Sequence, residues 1–180
     1  KTLISKGDIF QANLSTCCTT RIPDGLKAID VFHRLRNFCP APFSAFISGA
    51  GEAEGEAIIS SSPERFLQIK PNGDVQTRPI KGTRPRNLNP HKDARLAIDL
   101  VSSQKDRAEN IMIVDLLRND LGKVCKPGSI KVTQLVGLES YRQVHHLTSV
   151  INGCLNEEKT WVDLLEACWP GGSITGAPKL

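Results

Sequence analysis

In FLQIKPNGDVQTRPIKGTRPR, Phe66 to Arg86, two runs of β-favouring residues flank the turn residues Pro71-Asn72-Gly73. That pattern predicts a hairpin, and so an antiparallel pairing. The stretch ends by crowding Lys81 between Pro79 and Pro85, with Arg78, Arg84 and Arg86 around it. A solvated basic loop and an activated lysine nucleophile both fit so far.

The pattern continues on either side. In IFQANLSTC, Ile9 to Cys17, the residues Phe10, Ala12 and Leu14 alternate with polar neighbours, which predicts a half-buried strand. FSAFIS (43–48), EAIISS (56–61), SIKVTQL (129–135) and YRQVHHLTSVINGCL (141–155) also read as strands, the last with Val144, His146, Thr148 and Val150 on one face. Leu26, Ile29, Phe32 and Leu35 predict a helix over Pro23–Cys39. Residues 90–121 predict two helices meeting near Ser102-Ser103, started by Asn89-Pro90 and capped by Gly122; TWVDLLEACW (160–169) predicts a short one. Neighbouring, hairpin-linked strands with helices between them define an α+β class with largely antiparallel sheet. Neither a repeat nor a linker interrupts residues 1–180, so they read as one domain.

Composition narrows the function classes. The 180 residues are 39% hydrophobic and 23% charged, which excludes a disordered or fibrous chain. Twenty-three Lys and Arg against 19 Asp and Glu leave a net charge of +4, dispersed rather than gathered as in nucleic-acid binders. The six cysteines, at 17, 18, 39, 125, 154 and 168, lack zinc-ligand spacing and read as reduced, buried thiols of a cytoplasmic protein. No apolar run approaches the roughly 20 residues of a membrane span, so no membrane partner is expected. The opening KTLISKGDIFQ and the closing GAPKL suggest a portion of a longer chain, incomplete at both ends.

Four places carry residues suited to chemistry. Glu64, in SSPER, stands 17 residues before Lys81. Across a hairpin the two would form either a surface salt bridge or a general acid and a nucleophile. The three arginines would disfavour the protonated lysine. In KDRAENIMIVDLLRND, Asp106 and Glu109 share a helix face, either as a solvated charged surface or as oxygen ligands for a hard cation such as magnesium. PGGSITGAPK (170–179) lacks the adjacent Gly-Lys of a phosphate-binding loop, but its backbone amides suit a carboxylate. A lone histidine on a strand face, here His146, is more often a hydrogen-bonded core residue than a catalyst.

GDIFQANLS, PAPFSAF, SSPERF, QTRPIKGTRPR, KDRAENIMIVDLLRND, VHHLTS and PGGSITGAPK follow one another in order. Together, from about Gly7 to Lys179, they resemble the chorismate-binding domain of the chorismate-utilising enzymes. The resemblance implies two packed antiparallel sheets with outer helices, an α+β fold. Gln11 stands where the isochorismate and salicylate synthases have a water-activating lysine. Lys81, in P-I-K-G-T, stands where the anthranilate synthases have alanine. Both positions resemble the aminodeoxychorismate synthase component I branch, with anthranilate synthase component I as the alternative and a non-catalytic anion- or nucleic-acid-binding module as a remote one. By that resemblance Lys81 is a covalent nucleophile and Glu64 a general acid. Gln11, Thr83, His146, Thr175 and Gly176 line the chorismate pocket, and Glu109, with Asp106, holds magnesium. Ammonia comes from a glutamine amidotransferase component, separate or fused. Pro42, Phe43 and Ser44 match a segment that binds tryptophan away from the active site. Further family ligands lie beyond GAPK, so these 180 residues alone are expected to be inactive.

Overall fold

The computed structural model describes residues 2–51 and 54–179. The chain falls into two compact units, Ser15–Arg65 on one hand and Lys1–Leu14 with Phe66–Leu180 on the other.

In the larger unit a five-stranded sheet is built around β8 (Val144–Cys154). Along one side of it runs β7 (Lys131–Ser140). The other side is shared by β5 (Asp74–Arg78), opposite 151–154, and β6 (Ile80–Pro85), opposite 144–148. β5 and β6 are thus nearly one strand, interrupted at Pro79, whose carbonyl still accepts from Ser149 N at 3.1 Å. β4 (Arg65–Ile69) joins β5 through the Pro71-Asn72-Gly73 turn, as the sequence predicts. The α+β class and antiparallel sheet hold.

Helices α3 (Pro90–Ser102) and α4 (Gln104–Gly122) cover one face. Their division at Ser103 follows local chemistry: the Asn89 side chain accepts from His91 N and Lys92 N, and Ser103 accepts from Asp106 N. Gly122 is not the expected cap; it is the last helical residue, and Lys123 takes the C-cap in right-handed geometry. β8 alternates strictly. His145, Leu147, Ser149 and Ile151 face the helices, and His146 and Thr148 face away. The core joins Val75 and Ile151 to Ile113, Leu117 and Leu121 of α4 and Leu164 of α5 (Trp161–Cys168). Buried Asn110 of α4 donates to the Leu147 carbonyl at 3.1 Å and accepts from Ser149 Oγ at 2.5 Å. Ser149 Oγ in turn accepts from Val136 N at 2.9 Å, supporting that residue's positive φ of 52°. β7 therefore continues past Leu135, where the sequence reading ended it, through two register shifts.

The strand expected over Ile9–Cys17 shrinks to β1 (Gln11–Ala12). Its partner β9 (Gly176–Ala177) offers only two residues, and Leu14 is exposed. A short helix α1 (Thr2–Lys6) precedes it. In the smaller unit, β2 (Phe43–Ser48) and β3 (Ala57–Ser62) pair antiparallel, beside α2 (Ala28–Phe38). α2 starts later than predicted, because Asp30 bonds back to the Lys27 N–H and sets the entry there. All six cysteines are free thiols; contrary to expectation, Cys17, Cys18 and Cys39 are exposed and only Cys125 and Cys168 are fully buried. Among the described residues no helix is long and apolar enough to cross a membrane.

Candidate active site

Lys81 owes its position to a bulge. Ile80 lies opposite Thr148, so regular pairing would set residue 82 opposite His146; Thr83 is there instead, and β6 holds one residue too many. Gly82 absorbs the distortion with φ 83°, and a Cβ on it would lie 2.8 Å from Asp106 Cβ and 2.9 Å from Leu100 Cδ1. Only glycine meets both demands. Lys81, beside it, extends to the far end of the chain: Nζ donates to Ser173 Oγ at 2.6 Å and reaches the Ser173 carbonyl at 3.5 Å.

Ser173 lies in α6 (Gly172–Thr175), a single turn that leads into β9. Asn13 holds this turn from the other side, its amide donating to the carbonyls of Ser173 (3.1 Å) and Ile174 (2.8 Å). Gln11 donates to Asn13 Oδ1 at 2.9 Å, and its own Oε1 is buried with no protein partner among the described residues. Gly176 (φ 116°) packs so closely on β1 that a Cβ would fall 2.4 Å from the Gln11 carbonyl. Beyond it, Lys179 forms an ion pair with buried Asp120 of α4 and donates to the Cys168 carbonyl at 2.7 Å. PGGSITGAPK is thus a clamped turn. Lys81, Gln11 and Gly176 belong to one network; Thr175 is exposed, its hydroxyl donating to the Gly171 carbonyl at 3.3 Å.

Thr83 and His146 also meet, Oγ1 to Nδ1 at 2.9 Å. Burial lowers the His146 pKa, against a Gly82 backbone hydrogen bond and the Glu139 charge, and so favours the neutral imidazole. Its ring lies 5.8 Å from that of Tyr141. Glu139, opposite His146 on β7, gathers Arg78 Nη2 (2.6 Å), Gln134 Nε2 (3.1 Å) and the Tyr141 hydroxyl (2.6 Å). Burial works against its ionisation, but the hydrogen bonds from Tyr141 and Gln134 and the Arg78 charge outweigh it and keep the carboxyl below its usual range.

Three expectations change. The arginines around Lys81 each face a carboxylate: Arg78 meets Glu139 at 2.6 Å, Arg84 meets Asp99 at 2.7 Å and Asp106 at 3.4 Å, and Arg86 meets Asp93 at 2.9 Å. Their charge is balanced locally and does not converge on the amine. Asp106 and Glu109 do not act as a free pair, because Asp106 packs under Gly82 and pairs with Arg84. Glu109 is half-exposed, and among the described residues its one ion-pair partner is Lys105, at 3.8 Å. A magnesium ion takes one or two carboxylates and otherwise water and ligand oxygens; Glu109 fits as one such ligand and Asp106 does not. Among the described residues no three His, Cys, Asp or Glu side chains gather as for a metal. Finally, Lys81 is not on the β4–β5 hairpin but beyond Pro79, on β6, so the hairpin argument for pairing it with Glu64 lapses.

Glu64 sits in the turn between β3 and β4, in the Ser15–Arg65 unit, its N–H 3.3 Å from Ser62 Oγ. In that unit Pro42 and Ser44 line an open hollow of about 350 Å³ with Phe32, Arg36, Pro40 and Ala41. Ser44 Oγ donates to the Ala41 carbonyl at 2.9 Å, and Phe43 instead stacks under the Arg65 guanidinium at 5.5 Å. The sequence reading missed Ser173, Asn13 and the Glu139 cluster. Ser173 and Asn13 lie inside motifs already singled out; the Glu139 cluster has no local signal.

The sequence pattern of the family described as chorismate binding enzyme matches residues 1–180. The aminodeoxychorismate synthase component 1 of Salmonella typhimurium is 48% identical over 179 residues, covering 98% of this chain and 37% of that protein. An anthranilate synthase component 1 of Haloarcula marismortui is 44% identical over 180 residues, covering 99% and 35%. Among solved structures, anthranilate synthase component I from Streptococcus pneumoniae superposes with a TM-score of 0.76 at 35% identity, over 99% of this chain and 37% of that one. The chain spans little more than a third of the length of these two curated relatives. With that match along its whole length, the chain belongs to the chorismate binding enzyme family.

Proposed function

We propose that the full-length protein containing this chain aminates chorismate to 4-amino-4-deoxychorismate, with ammonia from a glutamine amidotransferase component. The observation that carries this reading is Lys81 itself. A primary amine is held at a glycine bulge, two residues from the Thr83–His146 pair and in contact with the clamped GSIT turn.

The chemistry divides one displacement into two. The unprotonated Lys81 amine forms a bond to a ring carbon as the ring C–O bond breaks, and the Glu64 carboxylic acid gives its proton to the departing hydroxyl, which leaves as water. Ammonia then forms its own bond to the ring where the hydroxyl left. The Lys81 nitrogen departs with the electron pair of its bond, and the surplus ammonium proton returns to Glu64. Thr83 and neutral His146 orient the ring, and backbone groups at Thr175 and Gly176, with Gln11 across the β1–β9 ladder, border the pocket. Glu109 would hold a magnesium ion, whose charge offsets a substrate carboxylate. The hollow at Pro42 and Ser44 would take tryptophan as an effector. Free thiols suit a cytoplasmic setting. The arginine–carboxylate pairs leave no exposed cationic stripe at residues 78–86 for nucleic acid.

Anthranilate synthase remains the second reading, supported by the Haloarcula and Streptococcus likenesses. Product analysis of the full-length protein with chorismate, ammonia and magnesium separates them, since anthranilate formation releases pyruvate. Lys81→Ala is expected to lower aminodeoxychorismate formation at least about 100-fold, the scale of losing a covalent nucleophile. Undiminished formation would refute the covalent role.

A further inference from the structure

We propose that Ser173 is a positioning residue for Lys81: its hydroxyl holds the lysine amine in the attacking orientation. This rests on the reading of Lys81 as the nucleophile and adds a residue to it.

The geometry has three parts. The Lys81 Nζ to Ser173 Oγ contact, at 2.6 Å, spans 92 residues of sequence, and the carbonyl of the same residue lies 3.5 Å from the amine. A lysine side chain carries four rotatable bonds, so an unheld amine samples a wide arc, whereas attack requires the nitrogen within a few tenths of an ångström of one line. Secondly, Ser173 is itself held. Asn13 grips its carbonyl at 3.1 Å and that of Ile174 at 2.8 Å, and Lys179, paired with buried Asp120, pins the chain beyond. A hydroxyl on a free loop would confer no orientation; this one is fixed from both sides. Thirdly, a hydroxyl offers one proton and two lone pairs. Among the described residues no acceptor takes the Ser173 proton, while its oxygen accepts from Lys81. The hydroxyl can therefore accept from the amine without competing for the nitrogen lone pair, and keeps its proton for a ligand atom. A carboxylate here would instead hold the lysine as ammonium and suppress attack.

The test uses the full-length protein, with Ser173→Ala, Ser173→Thr and Asn13→Ala. In steady state with chorismate, ammonia and magnesium, Ser173→Ala is expected to lower kcat about 3- to 10-fold, the range of one neutral hydrogen bond, with KM for chorismate within about 2-fold. Ser173→Thr, which restores the hydroxyl, should recover most of it. A second readout needs no turnover: site-resolved acetylation of Lys81 in the resting protein, measured by mass spectrometry against Lys70. Ser173→Ala should raise the Lys81 rate several-fold as the amine is released. Asn13→Ala, which keeps the hydroxyl but cuts its tether, should raise it less. Parent-like kcat and acetylation in Ser173→Ala would overturn the positioning role while leaving Lys81 as nucleophile, provided Lys81→Ala is inactive. A rise in KM alone would also overturn it, assigning Ser173 to substrate binding. Full activity in Lys81→Ala would remove the nucleophile and this inference with it.

Discussion

The Ser15–Arg65 unit and the Phe66–Leu180 region use the same local grammar with different results. Both contain strands that alternate and helices with an apolar stripe. In the first, no described side chain is fully buried; the cross-strand pair Ile47–Ile58 is 58% and 65% exposed. In the second, β8 is packed on both faces, and Leu147 and Ile151 are fully inaccessible. A two-stranded hairpin beside one helix has too little material to enclose a core. A long strand flanked on both edges and covered by two helices has enough. Amphipathic pattern thus sets element type, and the number of layers around an element sets burial. The difference bears on the proposed function, because an amine that must be held to a few tenths of an ångström needs the denser setting, and Lys81 is on it.

The largest effect that tests this contrast comes from truncating matched side chains. Leu147→Ala is expected to lower stability by about 2–5 kcal/mol, and Ile58→Ala by less than about 1 kcal/mol, by urea unfolding of the full-length protein. Equal losses would mean that the two regions do not differ in packing. A smaller effect, nearer the site, comes from Gly82→Ala. The left-handed φ costs about 1 kcal/mol, and the collision with Asp106 and Leu100 adds about 1–3 kcal/mol. The bulge should relax, so aminodeoxychorismate formation should fall further than stability alone explains. An active, parent-like Gly82→Ala would show that the bulge does not aim Lys81.

What the sequence disclosed follows the range of each interaction. The α3–α4 division was legible at Asn89 and Ser103 because a cap bonds within three residues of itself. The Pro71-Asn72-Gly73 hairpin was legible for the same reason. β7 was read short because the conformation at Val136 depends on Ser149, 13 residues on. The strand at Ile9–Cys17 was read long because alternation reports what a segment can pair with, not how many partner residues exist; β9 supplies two. Four cations in nine residues suggested mutual repulsion, but the carboxylates that pair with the three arginines, Asp93, Asp99, Asp106 and Glu139, come from α3, α4 and β7. Motif resemblance located Lys81, Thr83 and His146. Neither Ser173 nor Asn13 stood out, because contacts across 92 and 160 residues leave no periodic trace.

The smallest effect probes the dense region through a single proton. His146 is buried in the folded chain with its pKa below the ordinary histidine value, burial being the main cause. In the unfolded chain it returns to about 6.5. As pH falls below that value the unfolded state takes up a proton that the folded state still refuses, so the unfolded state is favoured. Stability from this residue is therefore complete above about pH 6.5 and is lost as pH falls through the lower folded value. The Gly82 backbone bond and Glu139 charge oppose burial, which keeps the effect modest. His146→Gln retains a group able to meet Thr83 Oγ1 but cannot titrate, so its urea midpoint should vary less than the parent's between pH 7.5 and pH 5. A variant with the parent's slope would mean that the imidazole is already solvated in the folded protein. The face of the sheet that carries Thr83 of β6 and His146 of β8 would then be open to water, and the density that distinguishes it from the Ile47–Ile58 hairpin would belong only to the helix side.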